Sequence, residues 1–253
     1  MRLLTLARDL RRRRARERQG QFVVEGIRAN EELLRSPLDI VGVLTAPQLD
    51  GTARGQQLRA ALRQRGVEHM DVTEREFSSG AETESPQGVL AIVNVPQRTL
   101  GDIAGRTQLR LVILDAVQDP GNVGAIIRTA AALGANATIA LPGTVDVWNA
   151  KVVRSAMGAH FHHLTFHTTW DVLRPFLAEE GCELWGSAHE GESVPLSAPG
   201  KLALAVGNEG SGLTPELREA VTRIVSIPID ATIESLNVAV ATGILLYALP
   251  APA

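Results

Sequence analysis

From Leu109 onward the chain alternates continuous apolar runs with segments of helical period. Six such runs stand out: Leu109–Asp115, Ala137–Leu141, Phe161–Phe166, Glu183–Ala188, Leu202–Val206 and Ile224–Ile229. A strand that is apolar at every position, not every second one, is buried on both faces. That is the habit of a parallel sheet covered by helices on each side. The intervening segments supply those helices. One leaves a Pro120-Gly121 turn and closes near Gly134, and another runs from about Val147 to Met157. A third carries Trp170, Leu173 and Leu177; a fourth opens at Thr214-Pro215, with Thr as N-cap and Pro in the first turn. The last spans Ser235–Leu249, with Ser235 placed to cap it. In sheets of this kind ligands gather beyond the carboxyl ends of the strands.

The first half is shorter-grained. An Arg-rich helix, strand-like Phe22-Val23-Val24, a helix through Ile27, Leu33 and Leu34, the run Ile40–Leu44, a helix with Leu58, Ala61 and Leu62, and the run Val89–Val93 describe a small α/β unit. The stretch from Pro96 to Gln108 lacks sustained periodicity and carries Pro and two Gly, so the expected division is a domain over residues 1–96, a linker over 97–108 and a second domain over 109–253.

Charge adds a partner class. The net charge of −3 conceals eight arginines among the first twenty residues, against only Asp9 and Glu17. Such a block, with Arg11, Arg12, Arg13 and Arg14 at its centre, can displace counterions from a phosphate backbone, or can simply be a solvated helix face. The single Cys182 excludes an internal disulfide and a multi-cysteine zinc site. No apolar run reaches the roughly 18–20 residues that cross a bilayer, and no apolar segment of a secretory signal follows the N-terminal arginines. A cytoplasmic protein without membrane contact is expected. His160, His162, His163 and His167 would alternate between strand faces and not converge, so no metal is expected and they read as strand-end or surface groups.

Three loops carry chemistry. The first, Asp115–Ala130, turns at Pro120-Gly121 and places Arg128 among Ile126, Ile127 and Ala130. A guanidinium in an apolar helix needs an anionic or polar partner, either a ligand or an acid such as Asp115. The second, Gly207-Asn208-Glu209-Gly210-Ser211-Gly212, lets backbone N–H groups approach a ligand. It lacks the Gly-Lys-Ser/Thr of a nucleoside triphosphate loop and the Gly-x-Gly-x-x-Gly order of a dinucleotide loop. The third, Ser226–Ala241, holds Asn237 ahead of the small residues Ala239, Ala241 and Gly243.

In order and context, the Asn122-x-Gly124-x-x-x-Arg128, Gly207-Asn208-Glu209-x-x-Gly212-Leu213 and Ile227-Pro228…Glu234-Ser235-Leu236-Asn237-Val238 segments resemble the SpoU (TrmH-like) family of RNA 2′-O-ribose methyltransferases in the SPOUT superfamily. Lys151–Ala159 is similar to the family's intermediate segment. Phe22–Gly26 and Ser85–Ala91 resemble, more weakly, its L30e-like RNA-binding domain. Ile229 and Ala231 depart from the family's usual Met and Gly or Ser.

The resemblance implies a knotted parallel-sheet methyltransferase domain behind a small L30e-like α/β domain. It implies S-adenosylmethionine (AdoMet) as cofactor, held around Gly207, Asn208, Ile227, Pro228 and Leu236. Arg128 would activate the ribose hydroxyl, with Asn122, Glu209, Ser235 and Asn237 as the other polar active-site groups. A guanidinium stays protonated at neutral pH, so Arg128 suits stabilisation of a developing alkoxide better than proton abstraction. Arg11, Arg12, Arg13, Arg14 and Arg154 would meet RNA. Ribosomal 23S RNA is favoured over tRNA, and a homodimer through the C-terminal domain is expected, with Leu236, Val240, Ile244 and Leu245 as its interface element or as core. Two other classes compete: a non-catalytic RNA-binding or assembly protein on this fold, and a nucleotide-dependent oxidoreductase. Intact Asn122, Arg128, Glu209, Ser235 and Asn237 disfavour the first. The missing dinucleotide fingerprint disfavours the second.

Overall fold

Leu3, Leu4, Ala7 and Leu10 recur at helical spacing and are all buried, which sets the first helix, α1 (Arg2–Leu10), with its apolar stripe inward. The computed structural model of the protein describes residues 2–195 and 197–249. The arginine block is two helices, not one. Chain direction breaks at Arg11-Arg12, and α2 (Arg13–Gln19) starts from an extended Arg12. The break is held by Arg16, whose buried Nη1 donates to the carbonyls of Leu10 (2.8 Å) and Arg11 (3.0 Å), satisfying groups that the end of α1 leaves open.

Next come β1 (Gln21–Glu25), α3 (Ile27–Leu34), β2 (Ile40–Thr45), α4 (Ala53–Gln64), β3 (Glu68–Asp71), α5 (Glu74–Gly80) and β4 (Val89–Asn94). The four strands form one mixed sheet in the order β1-β4-β2-β3, with β4 antiparallel to β1 and β2, and β3 parallel to β2. Two elements escape the apolar-pattern reading. The edge strand β3 is Glu-His-Met-Asp with no buried residue, so it has no alternation to detect. The α5 helix is announced instead by its capping box, Thr73 with Glu76. Polar links hold β3 in place: Thr45 Oγ1 donates to Asp71 Oδ1 (2.6 Å) and Arg59 pairs with the same carboxylate. Those bonds hold the Asp71 carboxyl at about 2, well below its ordinary value.

The second sheet contains β5 (Leu109–Leu114) and β6 (Ala137–Ala140), joined through α6 (Pro120–Ala132). After β6, Asn149 caps a short helix, α7 (Ala150–Ser155), by accepting the Lys151 N–H at 2.8 Å. Trp148–His162 packs with the first unit: the Trp148 ring lies 4.6 Å from that of Phe22, and α7 meets β1. The chain then returns through β7 (Leu164–His167), α8 (Trp170–Glu180), β8 (Glu183–Ser193), β9 (Lys201–Val206), α9 (Pro215–Ala220), β10 (Arg223–Ser226) and α10 (Val238–Ala248). All six strands are parallel, in the order β10-β8-β9-β5-β6-β7. Every residue of the central β5 is buried, Arg110 among its five apolar side chains included.

Local differences from the sequence reading have identifiable causes. Phe161 is in a single 3₁₀ turn (Ala159–Phe161) and not in β7, because Met157 and Gly158 adopt left-handed backbone (φ 53° and 92°) and turn the chain. The helix expected over 147–157 is shortened to α7, by the Asn149 cap at its start and by this turn at its end. The terminal helix starts at Val238 with Asn237, not Ser235, as its cap. Thr214 stands at the cap position of α9 without a side-chain capping bond.

The histidines are also corrected. His160 and His163 are buried, not superficial, while His162 and His167 are exposed. Among the described residues no group of three His, Cys, Asp or Glu is arranged to hold a metal. His163 shares a 2.9 Å hydrogen bond with Thr138 Oγ1, and burial pushes its pKa down to about 4. Its neutral form is therefore the folded one. The stabilisation is complete above the ordinary histidine pKa and is lost as pH falls from about 6.5 to about 4, amounting to about 3 kcal/mol. Denaturant titrations at pH 7 and pH 4.5 should show this loss, and His163→Asn should remove that share of it. An unchanged acid dependence in the variant would refute the assignment.

Candidate active site

Three loops meet at the carboxyl ends of β5, β9 and β10. Asp115, buried just past β5, accepts the Thr214 N–H at 2.6 Å and so ties its loop to the start of α9. Ala116 follows in left-handed backbone (φ 56°), a conformation that costs a non-glycine residue roughly 1–3 kcal/mol and is held only where surroundings enforce it. Here the enforcer is Asn208, whose Nδ2 donates to the Ala116 carbonyl at 3.1 Å. The ion pair between Asp115 and Arg128 that spacing allowed is not formed.

Asp119 caps α6 by accepting the Asn122 N–H (2.8 Å), which fixes Asn122 in the first turn. From there a chain of side-chain bonds crosses all three loops. Asn122 Nδ2 donates to Glu209 Oε1 at 2.6 Å, and Asn237 Nδ2 donates to Asn122 Oδ1 at 2.9 Å. Asn237 Oδ1 in turn accepts the N–H groups of Ala239 (3.0 Å) and Val240 (3.3 Å). This order removes any ambiguity in the amides. The helix N–H groups demand an oxygen from Asn237, so its nitrogen faces Asn122, whose own nitrogen must then face the carboxylate. Asn237 thus has two separable duties. Asn237→Asp keeps a good cap but sets an oxygen against Asn122 Oδ1, whereas Asn237→Ala also loses about 1 kcal/mol of cap. If the link matters to turnover, the Asp variant should melt near the wild type and yet transfer at least about tenfold more slowly; equal rates would assign Asn237 to capping alone.

The glycine loop is a closed turn. Asn208 and Gly212 exchange both backbone bonds (3.0 and 2.9 Å), and Asn208 Oδ1 accepts the N–H groups of Gly210 and Ser211. A Cβ on Gly207 would collide with the backbone of Gly212, so only glycine fits there.

A second cleft lies between β8 and the loop that follows β10. Gly186 stands opposite Ile224 and Glu192 opposite Val225, so residues 187–191 bulge from the β10 ladder. Ser187, Ala188 and His189 of the bulge line the cleft together with Ile227, Ile229, Ser235, Leu236 and Ala241. Of the residues assigned to the cofactor, Ile227 and Leu236 are brought together here, joined by Ser235 from the polar set; Gly207, Asn208 and Pro228 do not line this cleft. The bulge residues were missed because a parallel strand shows no sign in sequence of where its pairing fails. Their position past a strand end was the available signal. The cleft measures about 120 Å³, and its branched apolar walls, two hydroxyls and bulged backbone have the chemistry to meet part of a nucleoside-bearing ligand such as AdoMet.

Arg128 is apart from the hydrogen-bonded chain. It is exposed on α6 and makes no hydrogen bond or ion pair among the described residues. Its neighbours Ala125 and Thr129 line a groove with Val240, Gly243, Ile244 and Tyr247 of α10. Val240 (53%), Ile244 (40%) and Tyr247 (82%) are exposed there, while Leu245 is core and Leu236 faces the cleft.

In the first unit the arginine block divides by partner. Arg13 pairs with Glu17 at 2.7 Å, and Arg11 reaches the Ser79 carbonyl at 3.5 Å beside Arg8, which donates to Ser79 Oγ. Arg12 and Arg14 are exposed and make no hydrogen bond or ion pair among the described residues. Arg154 lies in α7, half-buried.

Comparison with known proteins accords with this arrangement. Residues 110–247 match the SpoU rRNA Methylase family, and residues 5–91 match the MRM3-like substrate binding domain. The chain is 35% identical over 242 residues to the 23S rRNA (guanosine(2553)-2′-O)-methyltransferase RlmP of Bacillus subtilis (strain 168), covering 94% of this chain and 92% of that one. It is 34% identical over 240 residues to the 23S rRNA (guanosine-2′-O-)-methyltransferase RlmB of Shewanella oneidensis, covering 90% and 96%. Among solved structures, the SpoU methyltransferase AviRb of Streptomyces viridochromogenes in complex with AdoMet superposes with a TM-score of 0.86 at 27% identity, covering 97% and 96%. The AdoMet-bound rRNA methyltransferase of Sinorhizobium meliloti gives 0.83 at 28%, covering 97% and 93%. With both halves of the chain and its three loops accounted for, the protein belongs to the SpoU rRNA methylase family of AdoMet-dependent RNA methyltransferases.

Proposed function

We propose that this protein methylates the 2′-hydroxyl of a ribose in 23S ribosomal RNA, acting in the cytoplasm as a homodimer. The observation that carries the proposal is the bonded chain Glu209–Asn122–Asn237, which pins three loops together at the start of the helix bearing Arg128, itself unpartnered among the described residues. Guanosine is the nucleoside named for both the Bacillus and the Shewanella relatives, which favours a guanosine here. The backbone knot implied by the resemblance belongs to the same proposal.

AdoMet, when bound, supplies a methyl group on a sulfonium. The residues of the chain do the rest. Ile227, Ser235 and Leu236, with the bulged residues 187–189, form the walls that hold the donor and exclude water from it. Arg128 faces the ribose oxygen and offsets the negative charge that develops as the hydroxyl loses its proton to a substrate phosphate or to solvent. Glu209, through Asn122 and Asn237, keeps α6 and α10 in register so that Arg128 is held in line.

The apolar groove of α6 and α10 supports the dimer. Val240, Ile244 and Tyr247 occupy one helical face at spacings of four and three, and large apolar groups clustered on a surface mark an interface.

The test is incubation with methyl-labelled AdoMet and total RNA, followed by mapping of ribose methylation. Transfer to 23S RNA supports the proposal. AdoMet binding without transfer to any RNA would favour the non-catalytic reading, and transfer confined to tRNA would move the substrate.

A further inference from the structure

A cavity of about 260 Å³ opens in the first unit, where β1 runs into α3. Its anionic wall is already engaged. Glu25, buried at the end of β1, accepts the Glu82 N–H at 3.0 Å and the Thr83 hydroxyl, which fixes the following loop. Gln87 Oε1 accepts the Ile27 N–H at 2.8 Å, leaving its Nε2 as a donor at the cavity.

The cationic wall makes no hydrogen bond or contact ion pair among the described residues, although Glu31 and Glu82 feel its charge. Arg28 is in the first turn of α3, where the helix dipole disfavours a positive charge, and it makes no hydrogen bond or ion pair among the described residues. Arg154 comes from α7, and its Nη1 is shielded from solvent without a hydrogen-bond partner. A shielded donor left unbonded costs free energy, so some structural or ligand reason must keep it there. The Glu82 carboxylate feels the Arg154 charge, but no described residue accepts a hydrogen bond from this nitrogen.

The remaining wall is apolar. Ala29 and Met157 supply it, and Met157 is held in left-handed backbone at φ 53°. The next residue explains how: a Cβ on Gly158 would come within 2.9 Å of the Glu32 side chain, so the turn is pressed against α3 and its geometry is imposed.

Two guanidiniums, near Glu31 and Glu82 but bonded to neither among the described residues, stand beside a soft apolar wall and one amide donor, a complement to phosphate plus base. The volume falls just below the roughly 300–1,000 Å³ of small-molecule sites, the scale of one nucleotide unit and not of a duplex. We infer that this cavity is a subsite for one unpaired nucleotide of the substrate RNA, its phosphate between Arg28 and Arg154 and its base against Ala29 and Met157. The inference rests on the reading of RNA as substrate. It adds a site made jointly by the N-terminal loops and by a segment from the other half of the sequence.

The test uses the full chain and a fluorescein-labelled 12-nucleotide single-stranded RNA of mixed sequence, with a 12-base-pair RNA duplex, 5′-GMP and inorganic phosphate as comparisons. Arg28→Ala/Arg154→Ala should weaken single-strand binding about tenfold and flatten its salt dependence by about 0.7 per lost contact. Met157→Ala should weaken it about threefold. Calorimetric AdoMet affinity within twofold of wild type shows that both variants are folded. 5′-GMP should compete with the strand at millimolar concentration and phosphate should not. Unchanged single-strand affinity in the double variant, an equal loss for the duplex, or equal competition by phosphate would each overturn the subsite. Failure of the parent reading looks different: the wild type would transfer no methyl to 23S RNA, whatever these binding curves show.

Discussion

Arg128→Ala is expected to lower the methyl-transfer rate by about 10²–10³-fold at saturating RNA while leaving AdoMet affinity within twofold. The expected separation follows from where the side chain is. Arg128 is exposed and unpartnered among the described residues, so its removal opens no cavity and orphans no buried group; a stability change beyond about 0.5 kcal/mol is not expected. It also does not line the cleft of Ile227, Ser235 and Leu236, so cofactor binding has no reason to move. The rate alone should respond, because a guanidinium aimed at an oxygen acts mainly once that oxygen gains charge. Arg128→Lys, which keeps the charge but not the planar fork, should recover part of the loss. A kcat within fivefold of wild type for the Ala variant would remove Arg128 from the mechanism.

Ile244→Asp should convert the protein from dimer to monomer, raising the dimer Kd by at least about 10²-fold, since a carboxylate at an apolar interface goes unpaired. Ile244 is 40% exposed in the single chain, so the substitution should leave the fold intact; the neighbouring Leu245, at 0%, would not tolerate it. Sedimentation velocity at micromolar concentration distinguishes the states. If the active site is completed across the interface, transfer should fall with dimerisation, and Tyr247→Glu should reproduce both effects. A wild type that sediments as a monomer, or a monomeric variant with full activity, would end the dimer proposal.

The second sheet was legible from sequence to within a few residues at most strand ends, because burial on both faces leaves an apolar run that no surface element shares. The strand expected from Phe161 begins only at Leu164, for a reason no apolar count reveals: two consecutive left-handed residues, one of them the non-glycine Met157, turn the chain before it. The edge strand β3 was invisible because its side chains are not buried. In the site, the identities of Asn122, Glu209 and Asn237 could be picked out, but their bonding could not. Asn122 and Asn237 are separated by 115 positions, and Ser235 was an equally good cap on local grounds. The structure gives the cap to Asn237 and puts Ser235 in the cleft.

Local pattern, then, determined the parallel apolar strands, the polar motifs in the loops behind them and the excess of arginine near the start, because each is set by neighbours along the chain. Tertiary structure alone decided that Arg8 and Arg11 are spent on Ser79, that His163 is buried and neutral, and that residues 148–162 pack with the first unit. Those outcomes depend on partners many residues away. A hydrogen bond or a loss of solvent between distant segments leaves no periodic trace in the order of amino acids.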